Sequence, residues 1–299
     1  MKFSLIIPLA PDRDAPIIES IKKLDYSKND FHVVVMKGKN PSMNRNRGAE
    51  KAKGDILVFL DDDAIIDEDY LKQVDAFFNQ YPDVDIVGGP QLTPNTDSGF
   101  AKYSGYVLSS IFGAWKVSNR YSGKKIVLNA NETHLTSSNL ICKKSVMEKI
   151  QFDPSLFPGE DPKFISDAKK EKLKIAYNPN IKIYHQRRKT IKQFFRQNFN
   201  YGKVRPQKEK FRDTIKTPFF LIPSIFVIYI LALIISLFFI NNILIWIPLI
   251  LYLILLVGFS IYESIKNKNT FAILPLLFIF PLIHISYGLG IIWGYIQRK

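Results

Sequence analysis

Asp55-Ile-Leu-Val-Phe-Leu-Asp-Asp-Asp63 decides how this chain folds. An unbroken apolar run with branched and aromatic side chains predicts a strand covered on both faces. That strand runs straight into three carboxylates. A doubly covered strand belongs inside an α/β layer structure, where its neighbours alternate between strand and helix. Upstream, Lys2 to Pro8 and Phe31 to Met36 read as two more buried strands. Between them Pro16 to Leu24 has helical apolar spacing at Ile17, Ile18, Ile21 and Leu24, and Ser42 to Lys53 reads as a polar helix closed by Gly54. Downstream, Asp67 to Phe78 has an apolar face at Leu71, Val74, Phe77 and Phe78, and Asp85 to Gly89 reads as a fourth strand. This β-α-β-α-β-α-β order predicts an α/β fold with a Rossmann-like, mostly parallel sheet and helices on both faces.

Sheets of that kind bind ligands beyond the C-terminal ends of their strands. Asp61, Asp62 and Asp63 sit at such an end. In extended backbone Asp61 and Asp63 point to one side and Asp62 to the other. Paired oxygens on one side suit Mg²⁺ or Mn²⁺. The other reading is an acidic helix-capping turn, since Asp67, Glu68 and Asp69 follow. Mutual repulsion of adjacent carboxylates tilts the choice towards a cation. The chain has no Gly-x-Gly-x-x-Gly after the first strand and no P-loop, which argues against an NAD enzyme or a P-loop kinase.

The 299 residues include one cysteine, Cys142, so an internal disulfide framework and a cysteine zinc cluster are excluded. The net charge of +14 is unevenly spread: +1 over residues 1–181, +10 over 182–216 and +3 over 217–299. In the last part Phe219 to Ile240 and Ile243 to Tyr262 carry no charge over 22 and 20 residues, enough to cross a hydrocarbon core of about 30 Å. Phe271 to Ile296 also lacks Asp, Glu, Lys and Arg but contains Pro275, Pro281, His284, Gly288, Gly290 and Gly294, which leaves spanning, kinking and re-entry open. Lys203, Arg205, Lys208, Lys210, Arg212 and Lys216 precede the first stretch, and Lys266 and Lys268 follow the second, so both flanks are expected on the cytoplasmic side, with Asn241-Asn242 opposite. Phe3 to Pro8 is too short for a signal peptide. The expected organisation is therefore a catalytic domain over 1–181 in the cytoplasm, a basic amphipathic collar over 182–217, and a membrane region over 218–299 with two to three helices at about 219–240, 243–262 and 271–296, making a multi-pass protein of the cell membrane. The collar interleaves Phe194, Phe195, Arg196, Phe199, Tyr201 and Lys203. Placed this close to a span, it fits anionic lipid headgroups better than nucleic acid, and no nucleic-acid partner is expected.

Several short motifs recur in one order: Ile6-Ile7-Pro8, the run Asn44 to Asp55, Phe59 to Asp63, Ser138-Asn139-Leu140, Gly159-Glu160-Asp161, Ala176 to Asn180, and Tyr184-His185. In this order and spacing residues 1–216 resemble a family-2 glycosyltransferase with a GT-A fold. The tail, including His284 to Gly290, is similar to membrane-anchored exopolysaccharide glycosyltransferases. The resemblance implies an inverting, metal-dependent transfer of a sugar from a nucleotide-sugar donor to a hydroxyl of a lipid-linked or membrane-proximal glycan acceptor. It implies Asp61 and Asp63 as the Asp-x-Asp motif, with Asp63 on the Mn²⁺ or Mg²⁺ and His185 completing the shell. It places Pro8, Arg45, Arg47, Asp61 and Asp62 around the donor. Asp161 becomes the general base and Glu160 its orienting neighbour, while Arg187, Arg188 and Asn139 are assigned to the diphosphate or acceptor region. The same Glu160 and Asp161 also suit a helix N-terminus with Pro162 in its first turn, and Arg45 also suits a solvated helix face. A membrane-bound nucleotidyltransferase acting on a sugar or lipid phosphate is the alternative chemistry for the acidic site.

Two departures from the family pattern stand out. Val35 to Lys39 has no acid where relatives hold the nucleobase and ribose, which leaves the nucleotide open. Gln193 to Gln197 resembles the Gln-x-x-Arg-Trp of processive synthases without the Trp, which favours single transfer over polymerisation.

Overall fold

A computed structural model describes residues 1–123, 125–156, 158–208, 218–236 and 242–298. Lys210, Arg212 and Lys216 of the basic collar, the end of the first apolar stretch at 237–240, and Asn241 lie outside the described residues. The chain forms two units: 1–94 with 116–186, and 95–115 with 187–299. Sequence alone draws the first boundary at 181 and keeps 95–115 with the catalytic part; in the structure that segment groups with the apolar helices.

The first unit is built on β1 (Phe3–Leu9), α1 (Ile17–Lys22), β2 (Phe31–Lys37), α2 (Pro41–Glu50), β3 (Ile56–Leu60), β4 (Ala64–Ile66), α3 (Tyr70–Gln80), β5 (Ile86–Gly88) and β6 (Gln91–Leu92). After the excursion into the other unit, whose α4 and α5 are given below, come β7 (Asn139–Lys143), α6 (Val146–Lys149), α7 (Glu160–Lys170), β8 (Ile175–Tyr177) and β9 (Ile183–His185). The main sheet has the order β2-β1-β3-β7-β5-β8. β1 pairs in parallel with β2 and β3, and β5 with β8, as expected. β7 runs antiparallel to both β3 and β5, so the sheet is mixed. An antiparallel partner needs no helical crossover, so β7 can enter the sheet from a long irregular stretch that carries no βαβ signature. A second small sheet, β4-β9-β6, holds the tail of the acidic run beside His185.

Side chains of each central strand divide between two cores. Phe3, Leu5 and Ile7 of β1 and Ile56, Val58 and Leu60 of β3 face Ile17, Leu71, Val74 and Phe77. Ile6, Leu57 and Phe59 face the other way, onto Ala49, Val146, Phe164 and Ile165. This two-sided burial, each large side chain contributing about 1.5–3 kcal/mol, explains the unbroken apolar runs.

The second unit contains α4 (Gly99–Ser109), α5 (Ile111–Ala114), α8 (Ile191–Lys208), α9 (Ile222–Ser236), α10 (Ile247–Lys266) and α11 (Ile273–Ile296). Two helical stretches, Ile243–Lys266 and Thr270–Ile296, are long and apolar enough to cross a membrane, and Ile222–Ser236 is a shorter apolar helix. The third apolar stretch is one continuous helix with Pro281 inside it.

Candidate active site

The end of β3 breaks into a turn in which the Ala64 N–H donates to the Asp61 carbonyl at 3.2 Å. The triplet is thus a turn leading into β4 instead of the extended run expected, and the turn still leaves Asp61 and Asp63 on one side. β4 pairs antiparallel with β9, with Ala64 opposite His185. That pairing brings an imidazole 122 positions downstream to the acids: His185 Nε2 lies 3.0 Å from Asp63 Oδ1 and 4.0 Å from Asp61 Oδ2. One ligand atom from each of Asp61, Asp63 and His185 falls within 4.8 Å of the others. Two carboxylates and an imidazole, all partly open to solvent, form an oxygen-rich, nitrogen-containing donor set that fits Mg²⁺ or Mn²⁺.

Asp62 is buried and is not one of these three ligands. Arg13, on the loop after β1, donates from Nη2 to Asp63 Oδ2 at 2.8 Å and lies 3.2 Å from Asp62 Oδ1. Burial pushes the Asp62 carboxyl up to about 6, against Arg13 and with help from the Asp63 and Asp61 charges. Burial pushes Asp63 up as well, but the hydrogen bond and charge of His185, followed by those of Arg13, outweigh it and hold this carboxyl well below the usual range. Sequence alone misses Arg13. The signal that could have found it is its place in the loop beyond the C-terminal end of β1, at the same sheet edge as Asp61.

Arg45 is not on a solvated face. Its side chain is 4% exposed; Nη2 donates to Asp61 Oδ1 at 2.9 Å and Nη1 to Glu160 Oε1 at 3.3 Å. Burial disfavours the guanidinium charge, but the carboxylates of Asp61, Glu160 and Asp161 more than offset this. Arg45 sits on α2, whose start is fixed by Pro41 and by the Asn40 side chain accepting from the Met43 N–H at 3.0 Å. Arg47, two residues on, is exposed to solvent.

Glu160 and Asp161 open α7, with Pro162 in the first turn. The helix is entered through Gly159 at φ 130°, a left-handed conformation that only glycine adopts without strain. This geometry folds the Glu160 carboxylate back so that Oε2 accepts from the Gly159 N–H at 2.9 Å. Burial, then the Asp161 charge, outweigh Arg45 and push Glu160 up to about 7. Asp161 Oδ1 is a buried oxygen with no hydrogen-bond partner among the described residues. The helix-start reading and the acidic-pair reading of these residues therefore coexist.

Pro8 is buried near the end of β1, paired in register with Met36. Asn139 is fully buried and both ends of its amide are engaged: Oδ1 accepts from the Tyr70 hydroxyl at 2.7 Å and Nδ2 donates to the Ile181 carbonyl at 2.8 Å. It ties β7 to α3 and to the approach to β9, and it stands opposite Leu60, the last residue of β3 before the acidic triplet. Arg187 and Arg188 belong to the second unit, where the Arg187 N–H donates to Asp97 at 2.9 Å and Arg188 is exposed.

A model described as "glycosyltransferase like family 2" matches residues 12–201. A curated relative from Methanococcus voltae, named dolichyl N-acetyl-alpha-D-glucosaminyl phosphate 3-beta-D-2,3-diacetamido-2,3-dideoxy-beta-D-glucuronosyltransferase, is 27% identical over 165 residues, covering 52% of this chain and 48% of its own. The chain thus spans about half the length of that relative. Among solved structures, mannosyltransferase PcManGT from Pyrobaculum calidifontis, titled as a complex with GDP-Man and Mn2+, superposes with a TM-score of 0.63 at 13% identity over 98% of this chain and 87% of its own. S. aureus TarS 1-349 in complex with UDP-GlcNAc gives 0.48 at 15% identity over 99% and 92% of the two chains.

Proposed function

The chain belongs to glycosyltransferase family 2, and from that premise we propose that it moves a sugar from a nucleotide-sugar donor to a hydroxyl of a lipid-linked or membrane-proximal glycan, with Asp161 as the general base. Family membership replaces nucleotidyl transfer, the alternative chemistry for the acidic site. The observation that carries the proposal is the bridge through Arg45, which ties the Asp61-Asp63-His185 cluster and the Glu160-Asp161 pair into one network. The leaving-group end and the nucleophile end of a transfer are thereby held in fixed relation.

Asp61, Asp63 and His185 would hold a divalent cation. Bound there, Mn²⁺ or Mg²⁺ supplies positive charge beside the diphosphate as its negative charge grows. The remaining chemistry belongs to the chain. Asp161, whose Oδ1 has no hydrogen-bond partner among the described residues, takes the proton of the acceptor hydroxyl while the hydroxyl oxygen attacks the anomeric carbon and the bond from that carbon to the diphosphate oxygen breaks, the nucleoside diphosphate leaving with the electron pair. Glu160, fixed by Arg45 and the Gly159 N–H, orients that carboxylate. Arg13 and Arg45 lie next to the acids and add positive charge at the donor end. Opposite-face attack gives inversion.

The lipid-linked acceptor is supported by the name of the Methanococcus voltae relative, which places its acceptor on a dolichyl phosphate, and by two helices of this chain that are long and apolar enough to cross a membrane. In this reading they anchor the chain in the cell membrane, and the basic residues flanking them favour the cytoplasmic side for the catalytic unit. Basic residues of α8 face anionic lipid headgroups in that arrangement. The test is a screen of UDP-, GDP- and dTDP-sugars with Mn²⁺ and lipid extract, scored by released nucleoside diphosphate. Turnover with one donor, lost in Asp161→Asn, is expected; release with no donor at all overturns the proposal.

A further inference from the structure

We infer that Arg13 couples cation binding to diphosphate binding: it shares Asp63 with the divalent cation, weakens the hold of the site on a cation alone, and gives up Asp63 when an anionic diphosphate arrives. This rests on the reading that Asp61, Asp63 and His185 hold a divalent cation beside the donor diphosphate. The observations all lie within the first unit.

The two acidic ligands are held in matched fashion. Asp61 Oδ1 accepts from Arg45 Nη2 at 2.9 Å, and its Oδ2 lies 4.0 Å from His185 Nε2. Asp63 Oδ2 accepts from Arg13 Nη2 at 2.8 Å, and its Oδ1 lies 3.0 Å from the same Nε2. Each carboxylate thus has one oxygen on a guanidinium and the other on the side of the imidazole. Both guanidinium groups stay charged at any working pH. A guanidinium bonded to a carboxylate offsets its charge and so lowers its attraction for a second cation.

The two arginines differ in freedom. Arg45 is 4% exposed and also reaches Glu160, so it cannot leave Asp61 without stranding buried charge. Arg13 is 51% exposed, and its side chain can turn while its backbone stays fixed. The Arg13 N–H donates to the Ala10 carbonyl at 3.3 Å, which closes a turn with Pro11 at the second position, where its fixed φ is favoured. Four residues on, the Ile17 N–H donates to the Asp62 carbonyl at 3.1 Å and ties the loop to the acidic run.

Arg13 Nη1 has its own anchor. It lies 3.2 Å from Asp62 Oδ1, a carboxylate outside the cation donor set. This contact keeps the guanidinium at the rim while Nη2 exchanges Asp63 for another anion. The planar fork suits phosphate oxygens as well as carboxylate oxygens. The direction of the coupling follows from charge. A cation alone is opposed by Arg13 across the shared Asp63. A diphosphate takes Nη2, releases Asp63 Oδ2 and brings negative charge of its own. Cation and diphosphate then favour each other by one and the same factor.

The test is titration of the full chain with Mn²⁺, alone and with UDP or GDP present, read by loss of the free Mn²⁺ paramagnetic resonance signal and corrected by the same titration without protein. In the native chain one of the nucleoside diphosphates should tighten Mn²⁺ binding. In Arg13→Ala, Mn²⁺ alone should bind about 5-fold more tightly, and the tightening by the nucleoside diphosphate should shrink by about 5-fold. Arg13→Lys keeps the charge without the fork and should fall between the two. An ion pair this open to solvent adds little to stability, so both variants should melt close to the native chain. Loss of a merely structural contact would loosen Mn²⁺ or leave it unchanged. Either result in Arg13→Ala, or no effect of UDP and GDP on the native chain, overturns the inference and leaves the cation reading intact. Mn²⁺ binding unaltered by Asp63→Asn overturns both.

Discussion

Arg45 and Glu160 stand 115 positions apart in the sequence and meet at 3.3 Å, with side chains 4% and 7% exposed. The same guanidinium reaches Asp61 at 2.9 Å. One buried cation therefore balances acids from two strand–helix units, and the site exists only while it does so.

Arg45→Ala is expected to destabilise the folded chain by about 3–5 kcal/mol, because it strands buried carboxylates without a partner. Chemical denaturation of the purified chain measures this. Arg45→Lys should recover part of the stability and little activity, since an ammonium cannot place two N–H groups on two separate carboxylates.

Asp161→Asn should lower turnover by about 10²–10⁴-fold with little change in the donor KM. Its Oδ1 has no partner to lose, so melting should shift little. Steady-state kinetics and a melting curve on the same preparation separate a lost base from a lost fold.

Glu160 gives stability a pH dependence of known sign. Its folded value of about 7 lies above the ordinary 4.5, so the folded state holds the proton more tightly. This contribution is complete below about pH 4.5 and is lost as pH rises through 7. Glu160→Gln should therefore flatten the fall in stability across that window and make the variant relatively more stable above it. Because the Asp161 charge helps to raise Glu160, Asp161→Asn should move the window to lower pH. Melting temperatures across pH 5–8 for the three proteins decide both points.

Chelation should abolish sugar transfer, and Mn²⁺ or Mg²⁺ should restore it. Mn²⁺ at 100 times its Kd should stabilise the folded chain by about 2.7 kcal/mol, read as a rise in melting temperature. Asp63→Asn and His185→Ala should each reduce this rise; an unchanged rise in both would place the cation elsewhere.

Gly290→Leu should separate α8 from α11, because a Cβ there already falls within 2.1 Å of a backbone oxygen that cannot give way. Faster proteolysis within residues 187–208 is the expected sign, with Gly258→Leu, at a position open on all sides, as the matched control.

Much of this was legible in the chain. The apolar runs at β1 and β3 fixed their strands, because burial on both faces leaves no room for polar residues; β2 read as buried too, but it is the edge strand of the sheet and its Val35 is 43% exposed. The position of Asp61 and Asp63 at a strand end followed from the same run. β7 was not legible: its five residues carry no helical crossover, and its antiparallel place between β3 and β5 depends on partners more than 50 positions away. Arg45 read equally well as a solvated residue, because local sequence does not say which face of α2 the rest of the chain will cover. Arg13 was missed because a loop has no period.

Residue type and spacing along the chain thus determined the α/β class, the acidic edge, the basic collar and the apolar helices, since each is a property of neighbouring side chains. The family resemblance anticipated His185 beside Asp61 and Asp63; tertiary structure alone decided how the β4–β9 pairing brings it there, that Arg45 spans to Glu160, and that α11 keeps company with α8. Those facts depend on strand register and on glycines that let backbones touch, which arise between distant segments only once the chain has closed on itself.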